Sequence, residues 1–256
     1  MLFDSHAHYN DSKFDEDRFA LLDKMQEHGV GYIMNVSDSM ESIKKVLEIA
    51  EKYPYVYASV GVHPAACGDL KEDDMDILRS YKNHKKVRAI GEIGLDYYWA
   101  DVARDIQKKW FARQLELAKE LKLPVIIHDR DAHEDCMDIL RASSARDIGG
   151  IFHCYSGSAE MAREILSWGM YIAFGGTLTF SNAKKTVAVA EYVPLDRIVL
   201  ETDCPYLAPE PNRGKKNSSL FLHYVAEKLA LIKGISVDEV IRVTTQNAKN
   251  CYKIEE

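Results

Sequence analysis

An alternation of short apolar runs with longer amphipathic runs constrains the fold of this chain more than any other feature. Each apolar run is typical of a buried strand, and the stretch that follows it has apolar residues at helical spacing. The alternation occurs eight times in 256 residues, without a linker or a low-complexity segment. Eight strand–helix units are what a closed parallel barrel requires. We therefore predict an α/β fold, a (β/α)8 TIM barrel with one or two extra C-terminal helices, formed by residues 1–256 as a single domain.

The predicted strands are short and rich in β-branched and aromatic residues. In chain order they are Leu2-Phe3, Tyr32–Val36, Val56–Val60, Val87–Glu92, Pro124–His128, Gly150–His153, Tyr171–Phe174 and Arg197–Leu200. The two extra helices are predicted at Ser219–Ile232 and Val237–Asn250.

The ends of these strands repeatedly carry a histidine or a carboxylate. These residues are His6, His8, Glu92, His128, His153 and Asp203. Each of them alone is better explained as a hydrogen-bonded core residue or an ion-pair partner than as a metal ligand. A barrel, however, brings the carboxyl ends of all its strands to one mouth. Together they therefore predict a metal site in a metallohydrolase domain.

The size of this set predicts two divalent metal ions, because six side chains exceed what one tetrahedral or open catalytic ion binds. Glu92 is the natural bridge between the ions. The other five divide into His6, His8 and Asp203 for one ion, and His128 and His153 for the other. Two cations about 4 Å apart generate hydroxide from bridging water at neutral pH, which is the chemistry of hydrolysis.

Glu92 and three nearby residues have predicted roles in the reaction. Asp203 would accept the proton of the attacking water while it binds metal. Glu201 would either orient a neighbour of the metal or only accept a hydrogen bond from a loop amide. His63, in a Val-His-Pro turn, would either donate to a developing oxyanion or form a structural corner.

The net charge of the chain limits how it could bind a polyanionic substrate. The formal net charge is −7, so no global basic field attracts nucleic acid, and a polyanion would have to be held locally. Arg213 and Lys216 follow the last strand and are predicted to bind phosphate, unless their segment is only a solvated loop. Tyr155 is assigned to substrate binding, beside backbone amides at Ser156-Gly157 that could cradle a phosphate oxygen.

Aromatic residues directly follow the predicted bridge. Tyr97, Tyr98 and Trp99 would either stack an unpaired base or cover the top of the barrel.

Several motifs, in this order, resemble those of the TatD-type metal-dependent deoxyribonucleases. They are Asp4-Ser5-His6-Ala7-His8, Gly61-Val62-His63-Pro64, Gly91-Glu92-Ile93-Gly94-Leu95-Asp96, Pro124–His128, His153-Cys154-Tyr155-Ser156-Gly157 and Glu201-Thr202-Asp203-Cys204-Pro205-Tyr206. The resemblance implies a TIM-barrel hydrolase of the binuclear amidohydrolase kind with the six ligands named above. It also implies 3′-to-5′ exonuclease activity on DNA. The chain departs from the family at Ser218-Ser219, where an acidic or amide residue and a proline are usual.

The identity of the metal stays open between zinc, manganese and magnesium. Four imidazoles favour zinc or manganese over magnesium, whereas the resemblance implies activation by magnesium.

Three functions therefore remain in consideration. The first is a deoxyribonuclease whose substrate is single-stranded DNA or a 3′ end. The second is a binuclear hydrolase of a carbonyl centre, such as a small cyclic amide, a lactone or an aminoacyl ester. The third, a nucleic-acid-binding module without catalysis, is disfavoured by the complete ligand set and the negative charge.

The composition also predicts a compartment. Five scattered cysteines without a Cys-x-x-Cys pair argue against a disulfide framework. No signal peptide or membrane span is recognisable. We expect a cytoplasmic protein, a monomer without a membrane partner.

Overall fold

The computed structural model describes residues 1–255, apart from the side chain of Ala145. Its eight parallel strands are hydrogen-bonded in sequence order, and a bridge between Ala7 and Cys204 brings the last strand beside the first. The strands are β1 (Leu2–Ala7), β2 (Val30–Val36), β3 (Val56–Val60), β4 (Val87–Asp96), β5 (Val125–Arg130), β6 (Gly150–Phe152), β7 (Tyr171–Phe174) and β8 (Ile198–Leu200). The predicted TIM barrel is confirmed.

Helices alternate with these strands and cover the outside of the barrel. They are α1 (Arg18–Leu22), α2 (Ser42–Lys52), α3 (Glu72–Ser80), α4 (Arg104–Leu121), α5 (His133–Ala142), α6 (Ala145–Ile148), α7 (Ala159–Ser167), α8 (Lys184–Tyr192), α9 (Leu222–Lys233) and α10 (Val237–Tyr252). The last two are the predicted extra helices. None of the helices in residues 1–255 combines the length and the apolar character needed to cross a lipid bilayer.

Three strands extend further than predicted at their carboxyl ends. The strand β1 continues to Ala7, β4 to Asp96 and β5 to Arg130. In these segments the barrel encloses polar side chains, so the apolar pattern stops before the backbone pairing does. In the pairing of β4 with β5, Gly94 lies opposite His128 and Asp96 lies opposite Arg130.

The core has two layers, and the inner one leaves room for a site at one end. Inside the barrel, Phe3, Ile126 and Val199 pack together with Tyr252, the last residue of α10, and with Ile254. Phe3, Ile126 and Val199 each come before the polar residues at the carboxyl end of their own strand. Apolar packing therefore fills the amino-terminal part of the barrel, and the polar side chains lie at the carboxyl ends of the strands.

Candidate metal centre

The six predicted ligands lie together at the carboxyl ends of the strands. His8, Glu92, His128, His153 and Asp203 line one cleft of about 650 Å³, which we call the central cleft. The sixth, His6, is buried directly behind it, with its Nε2 atom 2.9 Å from Nε2 of His8.

Glu92 lies between two groups of imidazoles. Its Oε2 atom is 3.4 Å from Nε2 of His6 and 3.6 Å from Nε2 of His8. Its Oε1 atom is 2.7 Å from Nδ1 of His128 and 3.6 Å from Nε2 of His153. Each carboxylate oxygen therefore faces a different pair of nitrogens, as a bridging ligand would require.

Asp203 approaches the same atoms from β8. Its Oδ1 atom is 3.4 Å from Nε2 of His8, 3.7 Å from Nε2 of His6 and 3.9 Å from Nε2 of His153. The carboxylate is thus nearest to the pair formed by His6 and His8.

The spacing and chemistry of these atoms fit divalent cations. Zinc–nitrogen bonds of about 2.0–2.1 Å place tetrahedral ligands roughly 3.3 Å apart, close to the separations around Glu92. The side chains of His6, His8 and Asp203 form one group whose ligand atoms all lie within 4.8 Å of one another. In addition, Nε2 of His6 and Nε2 of His8 face each other at 2.9 Å. A cation bound by both nitrogens would accept both lone pairs, whereas a single proton can be shared between them only as one hydrogen bond.

Two of the imidazoles are held from behind by carboxylates. Nε2 of His128 is 3.0 Å from Oδ2 of Asp96, and Nδ1 of His153 is 3.0 Å from Oε2 of Glu201. An ionised carboxylate only accepts, so these outer nitrogens donate. The inner nitrogens, Nδ1 of His128 and Nε2 of His153, are thereby directed at Glu92.

Glu201 meets both of the roles weighed for it. While Oε2 holds His153, Oε1 accepts a hydrogen bond of 2.7 Å from the amide of Cys154. Its side chain is completely buried, so the two contacts fix it firmly.

The charges of the centre are those of a cation site. Burial tends to raise the pKa of Glu92, but nearby His6 and His153 and the hydrogen bond from His128 hold the pKa well below its usual value. Burial likewise works to raise the pKa of Asp203, and His153 and His8 outweigh it. Both carboxylates are therefore ionised at neutral pH.

Carboxylates around the centre also retain protons on the imidazoles. Burial tends to lower the pKa of His8 and of His128, yet the hydrogen bonds that these rings donate to Asp203 and Asp96 raise each pKa to about 9. These protons occupy the positions that a cation would take, so cations and protons compete for the same nitrogens.

His63 lines the central cleft beside His128, with ring centroids 4.3 Å apart. Its Nδ1 atom accepts a hydrogen bond of 3.1 Å from the amide of Ala65. The neutral ring therefore carries its proton on Nε2. Burial lowers the pKa of His63 to about 4, and His128 contributes to the shift, so the ring is neutral at pH 7. The turn is both a structural corner and a source of a neutral N–H donor.

The predicted basic residues are engaged with neighbouring side chains and do not line the central cleft. Arg213 stacks on Phe180, 4.3 Å from the ring centroid, and Glu210 is 4.0 Å away. Nζ of Lys216 donates to the carboxylate of Asp17 at 2.7 Å. Neither cation is among the residues that line the cleft.

Tyr155 has a structural role and does not line the cleft. Its side chain is buried, and its hydroxyl donates to the carbonyl of Ser158 at 2.7 Å. The structure places its neighbours Cys154 and Ser156 in the lining of the central cleft instead. Sequence alone did not show this, because the motif does not reveal which of its side chains turns inward.

Asp96 and Arg130 are two of the cleft residues to which the sequence analysis gave no role. Alternation along a strand could have found them, because Asp96 is four residues after Glu92 and Arg130 is two after His128. They were overlooked because β4 and β5 were predicted to end at Glu92 and His128. Among the described residues that line the cleft, Arg130 is the one arginine or lysine.

The unusual Ser218-Ser219 segment is connected to the centre through hydrogen bonds to Asp4. Oγ of Ser219 donates to Oδ2 of Asp4 at 2.6 Å, and the Tyr9 hydroxyl donates to Oγ of Ser219 at 2.8 Å. Oδ1 of Asp4 accepts from the amide of Thr202 at 2.9 Å, next to Asp203. The serine therefore contributes to positioning the end of β8, rather than lining the cleft.

Comparison with known proteins identifies relatives over the whole chain. The model of a family described as TatD related DNase matches residues 3–253. A protein of Bacillus subtilis named uncharacterized metal-dependent hydrolase YabD is 44% identical over 254 residues, which cover 99% of this chain and 100% of that protein. The protein of Mycobacterium tuberculosis named uncharacterized metal-dependent hydrolase TatD is 34% identical, with 91% and 90% covered.

Solved structures agree with this result. The crystal structure of YjjV, a TatD homologue from Escherichia coli, superposes with a TM-score of 0.92 at 30% identity and covers 99% of this chain and 98% of that chain. A β-aspartyl dipeptidase from Fervidobacterium islandicum has a TM-score of 0.66 at 15% identity, with 98% and 74% covered, and shares the fold.

Proposed function

Because the chain belongs to the TatD-related DNase family and is a metal-dependent hydrolase, we propose that it hydrolyses phosphodiester bonds in DNA as a 3′-to-5′ exodeoxyribonuclease. The observation that carries the proposal is the position of Glu92, whose two oxygens face separate pairs of imidazole nitrogens. This arrangement supports a site for two divalent ions.

The ligand assignment follows the distances. Glu92 would bridge the ions. His6, His8 and Asp203, which form one compact group, would hold one ion. His128 and His153, which both approach Oε1 of Glu92, would hold the other. A bound pair of divalent ions lowers the pKa of water and stabilises the entering and leaving oxygens of a displacement. Zinc, manganese and magnesium are the candidates.

The chain's own groups have definable tasks in that reaction. Nε2 of neutral His63 would donate a hydrogen bond to an oxygen of the phosphodiester. The carboxylate of Asp203 would accept the proton released by the attacking water. Glu201 and Asp96 would keep His153 and His128 oriented throughout.

One observation favours the second candidate function, hydrolysis at a carbonyl centre. Carboxylates that are not predicted ligands also line the central cleft, among them Asp11, Asp38 and Asp129. Such a lining suits a small uncharged substrate better than a polyanion. The proposed bridge, however, is Glu92 rather than a carboxylated lysine, which favours the nuclease.

The two functions are separated by one assay. Chelator-treated protein is reloaded with Mn²⁺, Zn²⁺ or Mg²⁺ and offered a 5′-labelled single-stranded oligonucleotide, a small lactone and a cyclic amide. We expect successive loss of nucleotides from the 3′ end and no carbonyl hydrolysis. The variant Glu92→Ala should be inactive with an unchanged circular dichroism spectrum, whereas Glu227→Gln, an exposed carboxylate on α9, should retain activity. Turnover of the carbonyl substrates alone would overturn the nuclease proposal.

A further inference from the structure

Two large aromatic rings are exposed beside the metal centre. Tyr98 is 56% exposed and Trp99 is 73% exposed, although both residue types are usually well buried. Trp99 lines the central cleft. The two rings meet edge to face, with centroids 4.6 Å apart.

Their neighbour Tyr97 behaves differently. It packs against the hydrophobic core, and its hydroxyl donates to Asp135 at 2.6 Å. Of the two roles weighed for these aromatics, covering the barrel therefore belongs to Tyr97. Tyr98 and Trp99 remain available to a ligand.

The exposed rings are held in place by Asp96. Its Oδ1 atom accepts hydrogen bonds from the amides of Tyr98 at 2.9 Å and Trp99 at 2.7 Å. Its Oδ2 atom is the partner of His128 at 3.0 Å. One buried carboxylate thus positions both a candidate metal ligand and the aromatic pair. Because the loop that carries the two rings is already held in place, stacking of a base on them would cost little loop entropy.

Arg130 lies next to this pair. It stands opposite Asp96 in the pairing of β4 with β5, and its guanidinium is 5.0 Å from the ring centroid of Tyr98. Within residues 1–255 the side chain of Arg130 has no ion pair with a carboxylate, and it is exposed. An exposed guanidinium without a carboxylate partner can donate two parallel hydrogen bonds to a phosphate group.

The β1 and β2 side of the cleft would repel a phosphate chain. That side is lined by Asp11 and Asp38. The other side also carries two carboxylates, but Asp96 accepts hydrogen bonds from the amides of Tyr98 and Trp99, and Asp129 pairs with His133. It adds the guanidinium of Arg130 from β5 and the indole of Trp99 from the segment after β4. A nucleic-acid strand could therefore extend from the centre over the β4 and β5 side, and not across the whole mouth. This asymmetry favours the end of a strand over its middle.

Resting on the proposed nuclease function, we propose that Arg130, Tyr98 and Trp99 form a nucleotide subsite for the end of a single strand. Arg130 binds a backbone phosphate and Trp99 stacks on an unpaired base. An intact duplex end presents no free base face to the indole, so the subsite selects single-stranded or frayed ends.

The first test measures binding by tryptophan fluorescence. The chain has three tryptophans, and the other two, Trp110 and Trp168, pack against the core. Metal-loaded protein is titrated with a phosphorothioate-linked pentathymidylate, which resists hydrolysis, and with an abasic oligomer of the same length. We expect quenching by the thymidylate, little by the abasic oligomer, and none in Trp99→Phe. Equal quenching by both oligomers, or unchanged quenching in Trp99→Phe, would overturn the subsite.

The second test measures kinetics on single-stranded DNA. We expect Trp99→Ala to raise KM about 10-fold or more, the range of base stacking on aromatic side chains, with kcat changed less than about threefold. Arg130→Gln should raise KM similarly and flatten its dependence on salt, and Arg130→Lys should restore part of the loss. The controls are Leu231→Ala, 77% exposed on α9, and Arg146→Gln, exposed on α6, both with unchanged KM.

The outcomes separate the two proposals. If wild-type protein releases nucleotides but Trp99→Ala and Arg130→Gln have wild-type KM, the subsite is refuted and the nuclease stands. If wild-type protein cleaves no DNA with any of the three metals, the nuclease is refuted. The fluorescence titration then decides independently whether the subsite binds an unpaired strand.

Discussion

Each of two histidines at the centre contacts a carboxylate through the ring nitrogen that faces away from Glu92. The pairs are His128 with Asp96 and His153 with Glu201. Such contacts fix the tautomer and the orientation of an imidazole, and their loss commonly weakens metal binding. At the scale of the single residue, metal affinity should therefore depend on groups that do not touch the metal.

Replacing Glu201 with glutamine tests this dependence. We expect the affinity of chelator-treated protein for Mn²⁺ to fall about 10- to 100-fold, with activity recovering at excess metal. Isothermal titration calorimetry measures the change. Glu51→Gln is the matched control, because Glu51 forms an exposed pair with His84 at 3.0 Å away from the centre. Equal affinities of Glu201→Gln and wild type would refute the positioning role.

At the scale of elements, the contact of β4 with β5 depends on Gly94. Its φ is +148°, and a Cβ atom there would lie 1.9 Å from the carbonyl oxygen of His128. A side chain would therefore push β5 away and displace a candidate ligand.

We expect Gly94→Ala to lower the free energy of unfolding by about 2–4 kcal/mol, through backbone strain and overpacking. Gly149→Ala is the control, since its φ is +71° but no atom lies within 4 Å of the added Cβ. That variant should cost only about 1–2 kcal/mol. Urea denaturation measures both, and similar losses in the two variants would show that the approach to His128 is unimportant.

The junction of β5 with α5 should respond to pH. Nδ1 of His133 is 2.8 Å from Oδ2 of Asp129, and this hydrogen bond raises the pKa of His133 against the opposing effect of burial. A pKa raised in the folded state contributes stability that is complete below the unfolded value of 6.5 and is lost as pH rises through the folded value.

We therefore expect the free energy of unfolding of wild type, relative to His133→Gln, to decline as pH rises above 6.5. The decline should stay below about 1 kcal/mol, because the imidazole is more than a third exposed and solvent screens the pair. Chemical denaturation at several pH values measures it. His28→Gln, at an exposed histidine, should follow wild type. A difference that grows with pH would contradict the sign.

At the scale of the whole molecule, the centre joins distant parts of the barrel. Its side chains come from β1, β4 and β5 and from the segments after β1, β6 and β8. The same region contains the closure of the barrel between Ala7 and Cys204. Divalent ions bound there would cross-link the sheet across its mouth.

Metal removal should therefore lower the stability of the entire domain. At a free metal concentration about 100 times Kd, binding to the folded state adds about 2.7 kcal/mol, which a chelator would abolish. Thermal unfolding with and without chelator measures the shift in Tm. In Asp203→Asn the shift should shrink, while the melting temperature without metal changes little. An unchanged Tm of wild type on chelation would argue against metal at the centre.

The amino-acid sequence by itself determined the barrel and the convergence of the six predicted ligands. Strand and helix periodicities are local properties, so they were readable along the chain. The parallel order of the strands then carried histidines and carboxylates that are far apart in sequence to one end.

Only the tertiary structure decided which partner each side chain has. Asp96 and Arg130 entered the cleft because β4 and β5 pair beyond their apolar segments, and Tyr155 was turned into the core. The contacts of His153 with Glu201 and of Lys216 with Asp17 join residues 48 and 199 positions apart. No local pattern encodes such contacts, because they arise when strands and loops meet in three dimensions.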